Sequence, residues 1–365
     1  MKRIAINTGG GDAPGLNAVI HGAVHAAIAK RWEVFGVRDG FEGFLAPAQY
    51  PDGGLVRLDR AMVRNIAHLG GTILGTTNRG NPLQYRTKSA DGAFIEVDRS
   101  DELIRRFRDA RLDALIAVGG DGTLGIAQHL SEKGMAIVGV PKTIDNDLQA
   151  TVVTFGFDSA VSFATDCLDR LHSTAESHRR VLVVEVMGRY AGWIALHAGI
   201  AGRANAILIP EIPFDIENVA EYLKRMTLPE QKYAIVVVAE GAKAAGGQHI
   251  LKAGAGGGPV ERLGGIGEFV ADQLQERTGN ETRAVVLGHL LRGGSPTSLD
   301  RLLGLNFGAA AVRAIAEGKT GIMVALNPPR IEYVPLKVAV SRQKLVPTDG
   351  NAVITARALG ISFGD

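Results

Sequence analysis

Short apolar runs alternate with glycine-rich turns and amphipathic stretches along most of this chain. Residues 3–7 read as a first strand, a glycine-rich turn fills 8–17, and residues 17–30 carry a helical pattern. The next apolar run is 33–37, and a helix is predicted over 60–68. A further helix runs through Arg108 from a cap at Ser100 or Asp101, with acidic residues in its first turn. The run 115–118, the turn 119–123, a helix over 122–132, the run 136–140 and an acidic loop at 141–147 repeat the strand, turn, helix, strand order. After a crossover at 151–160, the pattern predicts helices over 159–172, 191–201 and 216–226 and strands over 181–186, 206–209 and 233–239. A helix over 266–277, a strand over 283–287, a helix over 299–317 and a strand over 321–326 finish the body, and 330–365 reads as a mixed tail. Strands alternating with helices predict an α/β protein with mainly parallel sheets, and such sheets carry their chemistry at the C-terminal ends of the strands.

Composition narrows this picture. A length of 365 residues is enough for about two domains. With 46% apolar and 21% charged residues the chain has material for a full core, and a net charge of +2 argues against a nucleic-acid partner or a membrane surface. Cys167 has no second cysteine to pair with, which points to a reducing, cytoplasmic compartment and a buried structural thiol. The apolar run at the N-terminus is too short for a signal peptide, and no run approaches the ~18–20 residues needed to span a membrane. The Gly/Ala-rich stretch 241–259 reads as a flexible surface insertion.

The candidate chemistry sits at strand ends. The turns 8–17, 70–82 and 119–123 are rich in glycine, so their backbone N–H groups can approach a ligand closely, and two of them open helices whose N-termini favour an anion. Together they read as one polyphosphate site. Asp121, Asp145 and Asp147 add carboxylates, and carboxylates facing phosphates call for a hard cation, Mg²⁺. Arg180, Arg189, Arg283, His289 and Arg292 lie at strand ends or turns, more positive charge than one carboxylate substrate needs. Glu240, beside Gly241, reads as a polyol acceptor or a helix cap, and the loop residue Arg79 as a phosphate contact or a solvated side chain. GKT at 318–320 is not a P-loop, because Arg313 stands where its upstream glycine belongs. The residues alone describe a Mg²⁺-dependent kinase joining a nucleotide or pyrophosphate to a phosphorylated metabolite.

TGGGDAPGLN (8–17), GGTILG (70–75), GGDGT (119–123), PKTIDND (141–147), SHRRVLVVEVMGRYAG (177–192), the run ending at Glu240 and ETRAVVLGHLLRGGSP (281–296) together resemble the 6-phosphofructokinase family, in the family's order and across about residues 3–301. The resemblance implies two similar three-layer lobes with the active site in the cleft between them. The larger, nucleotide-binding lobe would comprise 1–156 and about 291–330; the smaller, sugar-phosphate lobe 157–290 and about 331–365. It implies Asp145 as the base that deprotonates the sugar 1-hydroxyl, Thr143 as a neighbour contacting substrate and the transferred phosphoryl group, and Arg189 beside them. Asp121, supported by Asp147, would hold Mg²⁺. Gly11, Arg79, Gly120, Asp121, Gly122 and Thr123 would meet the donor, with Asn78 an alternative to Arg79 in that alignment. Thr143, Ile144, Asp145, Met187, Gly188, Arg189, Glu240, His289, Leu290, Leu291 and Arg292 would bind fructose 6-phosphate. Arg180 and Arg283 would reach the substrate phosphate of a neighbouring subunit, in a homodimer or homotetramer. His21, His25 and His172, where relatives carry effector-binding arginines, read as surface histidines.

The family divides by phosphoryl donor. Gly122 leaves room for the α-phosphate of ATP, whereas Lys142 replaces a glycine typical of ATP enzymes and matches pyrophosphate enzymes. Steric and charge exclusion is harder to escape than an extra cation, so ATP is the expected donor, with pyrophosphate the alternative. A lipid, NAD or sphingosine kinase sharing GGDGT is disfavoured by MGRYAG and GHLLRGG, and a non-catalytic subunit by the intact TIDND and GGD.

Overall fold

The computed structural model describes residues 1–89, 92–226, 233–248 and 263–365. Strand β1 (Arg3–Thr8) leads to helix α1 (Leu16–Ala29), β2 (Glu33–Val37), the short α2 (Glu42–Leu45), β3 (Leu55–Leu58) and the one-turn α3 (Arg60–Val63). Strands β4 (Tyr85–Lys88) and β5 (Phe94–Val97) pair with each other and precede α4 (Ser100–Asp109), β6 (Ala114–Gly119), α5 (Asp121–Glu132) and β7 (Ile137–Pro141). The long α6 (Phe157–His178) is followed by β8 (Val181–Val186), α7 (Trp193–Ala201), β9 (Ala206–Leu208), α8 (Ile216–Met226) and β10 (Ala234–Ala239). Helix α9 (Ile266–Thr278), β11 (Thr282–Val286), α10 (Ser298–Ala316), β12 (Ile322–Asn327), β13 (Arg330–Pro335), α11 (Leu336–Ala339) and α12 (Asn351–Ala358) complete the order.

These elements form two compact units. The first holds residues 1–144, 148–158 and 292–343; the second holds 145–147, 159–291 and 344–365. The first is built on a seven-stranded sheet in the order β13-β12-β7-β6-β1-β2-β3, parallel except for its edge strands β3 and β13. Alternate side chains of its central strands enter different cores. Ile4, Ile6, Ile116 and Val118 pack with α1 and α10, whereas Ala5, Leu115 and Ala117 pack with α4 and α5. Apolar residues at every position of these strands therefore reflect burial on both faces. From β1 the chain crosses to β2 on one side, and from β6 to β7 on the other, so β1 and β6 flank a topological switch point.

The second unit carries a parallel four-stranded sheet, β11-β8-β10-β9. Every residue of β8 and β10 is buried. Val181, Val183, Val236 and Val238 face α8 and α9, while Ile207, from the opposite face of β9, packs against α7 at Gly199.

Several local expectations give way. The helix predicted over 60–68 stops at Val63, whose carbonyl accepts from His21 Nδ1 at 2.7 Å instead of continuing the ladder. Asn17 Nδ2 similarly takes the carbonyls of Leu69 and Gly70. Ser100 and Asp101 do not cap α4: the N-cap position is Arg99, the preceding Asp98 accepts from Ser100 N–H at 2.8 Å, and the buried Ser100 Oγ meets Lys133 Nζ instead. Residues 331–343, expected in the smaller lobe, belong to the first unit because β13 pairs along the whole of β12. His172 is buried, bonded to the Gly202 carbonyl at 2.7 Å and to Tyr233, so it is a packing residue and not a surface one. Cys167 is half-buried, and burial pushes its thiol up. Of the expected insertion 241–259, residues 249–259 lie outside the described residues; Ala244 bridges Phe214. No helix among the described residues is long and apolar enough to cross a membrane.

Candidate active site

The three glycine-rich turns meet in the first unit, at the switch point between β1 and β6. Gly9 N–H bonds the Val118 carbonyl at 2.9 Å, tying the turn after β1 to the end of β6. The 70–82 turn joins the first turn through Gly10 N–H to Thr77 O (3.0 Å), Thr76 Oγ1 to Gly10 O (2.6 Å) and Thr8 Oγ1 to Gly75 O (2.7 Å). Thr123, buried in the first turn of α5, is wedged between the loops: a Cβ on Gly9 or on Gly119 would come within 2.6 Å of its Oγ1. Glycine is therefore required at both positions by close approach. No side chain caps α5 at Gly120, and the positive end of its dipole favours an anion, with the Gly122 N–H already taken by the Asp121 carboxylate.

Around this cradle stand the other donor-side residues. Asp121 is exposed, with one carboxylate oxygen accepting from Gly122 N–H at 2.7 Å. Gly122 is helical, and a Cβ there would meet nothing within 4 Å. Arg79 is exposed on the second turn, its backbone N–H held by Thr77 Oγ1 at 3.0 Å. Lys142 is buried; its Nζ donates to the Gly11 carbonyl and its backbone N–H to Gly119 O at 2.9 Å. Arg292 Nη1 donates to the Asp12 carbonyl at 3.0 Å, and a Cβ on Gly11 would press on that guanidinium at 2.8 Å. Arg292, expected on the acceptor side, is thus stacked against the donor loop. Thr143 and Ile144 follow Lys142, with the Thr143 carbonyl accepting from Thr154 Oγ1 at 2.6 Å.

The acidic turn 145–147 belongs to the second unit. Asp145 is half-buried, and Asn146 and Asp147 are buried. Asn146 is left-handed, with φ 52°. Lys344, from the tail, donates its Nζ to Asn146 Oδ1 at 2.8 Å and its N–H to the Asp147 carbonyl at 2.7 Å. Burial pulls the Lys344 ammonium down to about 8, with Asp147 acting in the opposite direction.

The acceptor-side residues gather at the C-terminal edge of the second sheet. Met187, Gly188 and Arg189 follow β8, Glu240 follows β10, and His289, Leu290 and Leu291 follow β11, its neighbour on the other side. The loops touch through their backbones: Glu240 N–H reaches Val186 O at 2.9 Å, Gly241 N–H reaches Gly188 O at 3.1 Å, and Leu287 N–H reaches Glu185 O at 3.0 Å. A side chain on Gly241 would collide with the Arg189 carbonyl. His289 and Leu290 are exposed and Leu291 is buried, so Leu291 supports the loop from the core. Arg180 and Arg283 do not join this group. They lie at the opposite, N-terminal ends of β8 and β11, both paired to Glu281, at 3.2 and 2.8 Å.

A family model for phosphofructokinase matches residues 3–315. The chain belongs to the phosphofructokinase family. It is 49% identical over 364 residues to an ATP-dependent 6-phosphofructokinase of Chloroflexus aurantiacus, covering 100% of this chain and 98% of that one. It is also 49% identical over 351 residues to a pyrophosphate–fructose 6-phosphate 1-phosphotransferase of Amycolatopsis methanolica, covering 95% and 97%. A solved pyrophosphate-dependent phosphofructokinase from Nitrosospira multiformis superposes with a TM-score of 0.80 over 98% of this chain and 91% of that one; at 22% identity it speaks for the phosphofructokinase fold alone. The contacts that sequence reasoning missed are those of Thr8, Thr76 and Thr77, which sew the turns together, and of Lys344. The threonines had a signal in their places inside glycine-rich turns; Lys344 had none, being 198 residues from Asn146.

Proposed function

We propose that this chain transfers the γ-phosphoryl group of ATP to the 1-hydroxyl of fructose 6-phosphate, giving fructose 1,6-bisphosphate and ADP, in the cytoplasm. The observation that carries the reading is the convergence of three glycine-rich turns at the β1–β6 switch point, Thr123 wedged between the first and third and the second bonded to the first, beside the N-terminus of α5. Phosphoryl transfer depends mostly on positioning and on neutralising charge, and this is a site built of backbone donors. Asp145 takes the proton of the 1-hydroxyl as its oxygen attacks the γ-phosphorus and ADP departs. Thr143 and Arg189 orient the transferred group. Glu240, Met187, Gly188, His289 and Leu290 form the acceptor subsite, with Leu291 and Ile144 supporting from the core and Arg292 placed on the donor loop, and the pairing of Arg180 and Arg283 to Glu281 away from it suits service to a neighbouring subunit of a homo-oligomer.

Mg²⁺ is part of this reading. Asp121 is an exposed carboxylate with one oxygen engaged by a backbone N–H, which leaves the other for an ion. Among the described residues no group of three or more potential ligands converges, and Mg²⁺ bound through one or two carboxylates plus substrate phosphates and water needs none. Asp121 and Asp147 would hold it, and it would neutralise charge on the donor phosphates.

Pyrophosphate as donor is the second reading. It is favoured by Lys142, whose ammonium lies against the Gly11 carbonyl in the donor loop, and by a pyrophosphate-using relative as similar as the ATP-using one. ATP is preferred because, among the described residues, nothing lies within 4 Å of a Cβ placed on Gly122. One assay decides: fructose 6-phosphate and Mg²⁺ with ATP, then with pyrophosphate. Turnover with ATP alone supports the proposal, equal or faster turnover with pyrophosphate reverses the donor, and no turnover with either sinks the reaction.

A further inference from the structure

We infer that Lys344 is a positioning residue for the acidic turn 145–147: its side chain holds Asn146 in place and so fixes the carboxylates on either side. The inference rests on the phosphoryl-transfer reading above. Asn146 stands between the proposed base Asp145 and Asp147 in a left-handed conformation, φ 52°, which is uncommon outside glycine and which asparagine accepts better than most residues. The holding group is identifiable. A lysine ammonium only donates, so the Asn146 atom facing Nζ at 2.8 Å is the carbonyl oxygen Oδ1, and the amide orientation is set.

Lys344 is itself fixed on three sides. Its N–H bonds the Asp147 carbonyl at 2.7 Å, its carbonyl accepts from Trp193 Nε1 at 2.8 Å, and its ammonium lies 5.8 Å from the Trp193 ring centroid. Two residues on, Val346 N–H bonds Glu211 Oε1 at 2.9 Å, and the same carboxylate accepts from Gly192 N–H at 3.0 and 3.1 Å. Gly192 closes the loop that begins at Met187 and carries Arg189. Residues 344–346 therefore brace both the acidic turn and the Arg189 loop, and only Lys344 does so with a side chain on the turn. A segment needed for packing alone has no use for an ammonium at this position, because a half-buried cation loses hydration.

The test is steady-state kinetics on Lys344→Met, Asn146→Gly, the double variant and Trp193→Phe, with fructose 6-phosphate, Mg²⁺ and the better donor, beside thermal unfolding of each. Asn146→Gly keeps the left-handed backbone accessible but removes the lysine's acceptor. A displaced turn lowers kcat of Lys344→Met by roughly 10- to 100-fold with both KM values within about twofold. Asn146→Gly gives a similar loss, and the double variant loses no more than either single one. Trp193→Phe, which loosens the tail but keeps the ammonium, lowers the unfolding temperature and keeps kcat within about threefold. Full kcat in Lys344→Met, an additive double variant, or an equal kcat loss in Trp193→Phe overturns the inference. If Lys344→Met does not fold, full kcat in Asn146→Gly overturns it by itself. A wild-type chain inert toward fructose 6-phosphate with either donor overturns the phosphoryl-transfer reading, and this inference falls with it.

Discussion

Gly122 occupies a helical position where neither packing nor backbone strain asks for glycine. Its φ is not positive, an added Cβ meets nothing within 4 Å, and glycine inside a helix costs up to about 1 kcal/mol relative to alanine. The cost is understandable if the space belongs to a ligand. Gly122→Asp should therefore fold as well as the wild type, raise the KM for ATP by at least about tenfold through clash and like-charge repulsion with the α-phosphate, and leave the KM for fructose 6-phosphate unchanged. An unchanged ATP KM would refute the steric argument. A second residue sets a pH limit. His197, packed edge-on to Trp193 at 5.9 Å between centroids, is held below the ordinary histidine range by burial. A depressed pKa favours the neutral ring in the folded state, so its contribution to stability is complete above about pH 6.5 and is lost as the pH falls through the folded value. The unfolding temperature should drop between pH 7.5 and 5.5, and His197→Gln should drop less over the same interval; equal slopes would contradict this origin. At this scale the sequence displayed the residues that face ligands, because strand ends and glycine turns are local patterns. It hid their braces. Arg292 on the Asp12 carbonyl and Lys344 on Asn146 are contacts between distant segments, which no local periodicity encodes.

Helices α1 and α10 show how a three-layer unit is closed. They approach so nearly that a Cβ on Gly308 would come within 2.7 Å of Ala23 N, and one on Gly22 within 3.0 Å of Leu305 Cα. This packing backs β1, whose end carries the first glycine turn. Gly308→Val should lower stability by about 1–3 kcal/mol through overpacking, seen as a reduced unfolding temperature. Gly125→Ala, in α5 with nothing within 4 Å of the added Cβ, is the matched control and should be neutral or stabilising by up to about 1 kcal/mol. A neutral Gly308→Val would mean that the helices can separate at no cost. Elements with strong apolar runs, such as β6, β8 and β10, were readable because both faces are buried and every residue says so. The β4–β5 hairpin was not, since Tyr85–Lys88 and Phe94–Val97 lie largely exposed and carry no buried alternation. The end of α3 was hidden for another reason: His21 of α1 takes the Val63 carbonyl that a longer helix needed.

At the scale of the whole molecule, the placement of the arginines bears on how many chains make one site. Arg180 and Arg283 converge on Glu281 at the N-terminal ends of β8 and β11, while Arg189 follows the C-terminal end of β8. Six residues of strand span about 20 Å, further than an arginine side chain extends, which argues against one subsite in one chain using both groups. Two cations sharing a single carboxylate keep surplus positive charge, which suits a phosphate presented from outside the chain. A reciprocal division of labour of this kind can be tested by complementation. The Asp145→Asn chain lacks the base but keeps both arginines; an Arg180→Ala, Arg283→Ala chain keeps the base but lacks the clamp. Each alone should be nearly inactive, the second mainly through a raised KM for fructose 6-phosphate. Unfolded together and refolded as an equal mixture, about half of randomly paired dimers are mixed, and each mixed dimer has one site with an intact base and an intact neighbouring clamp. Recovery of about a quarter of wild-type activity is expected from that random pairing. Activity no higher than the average of the two separate preparations would show instead that every residue of the site comes from one chain.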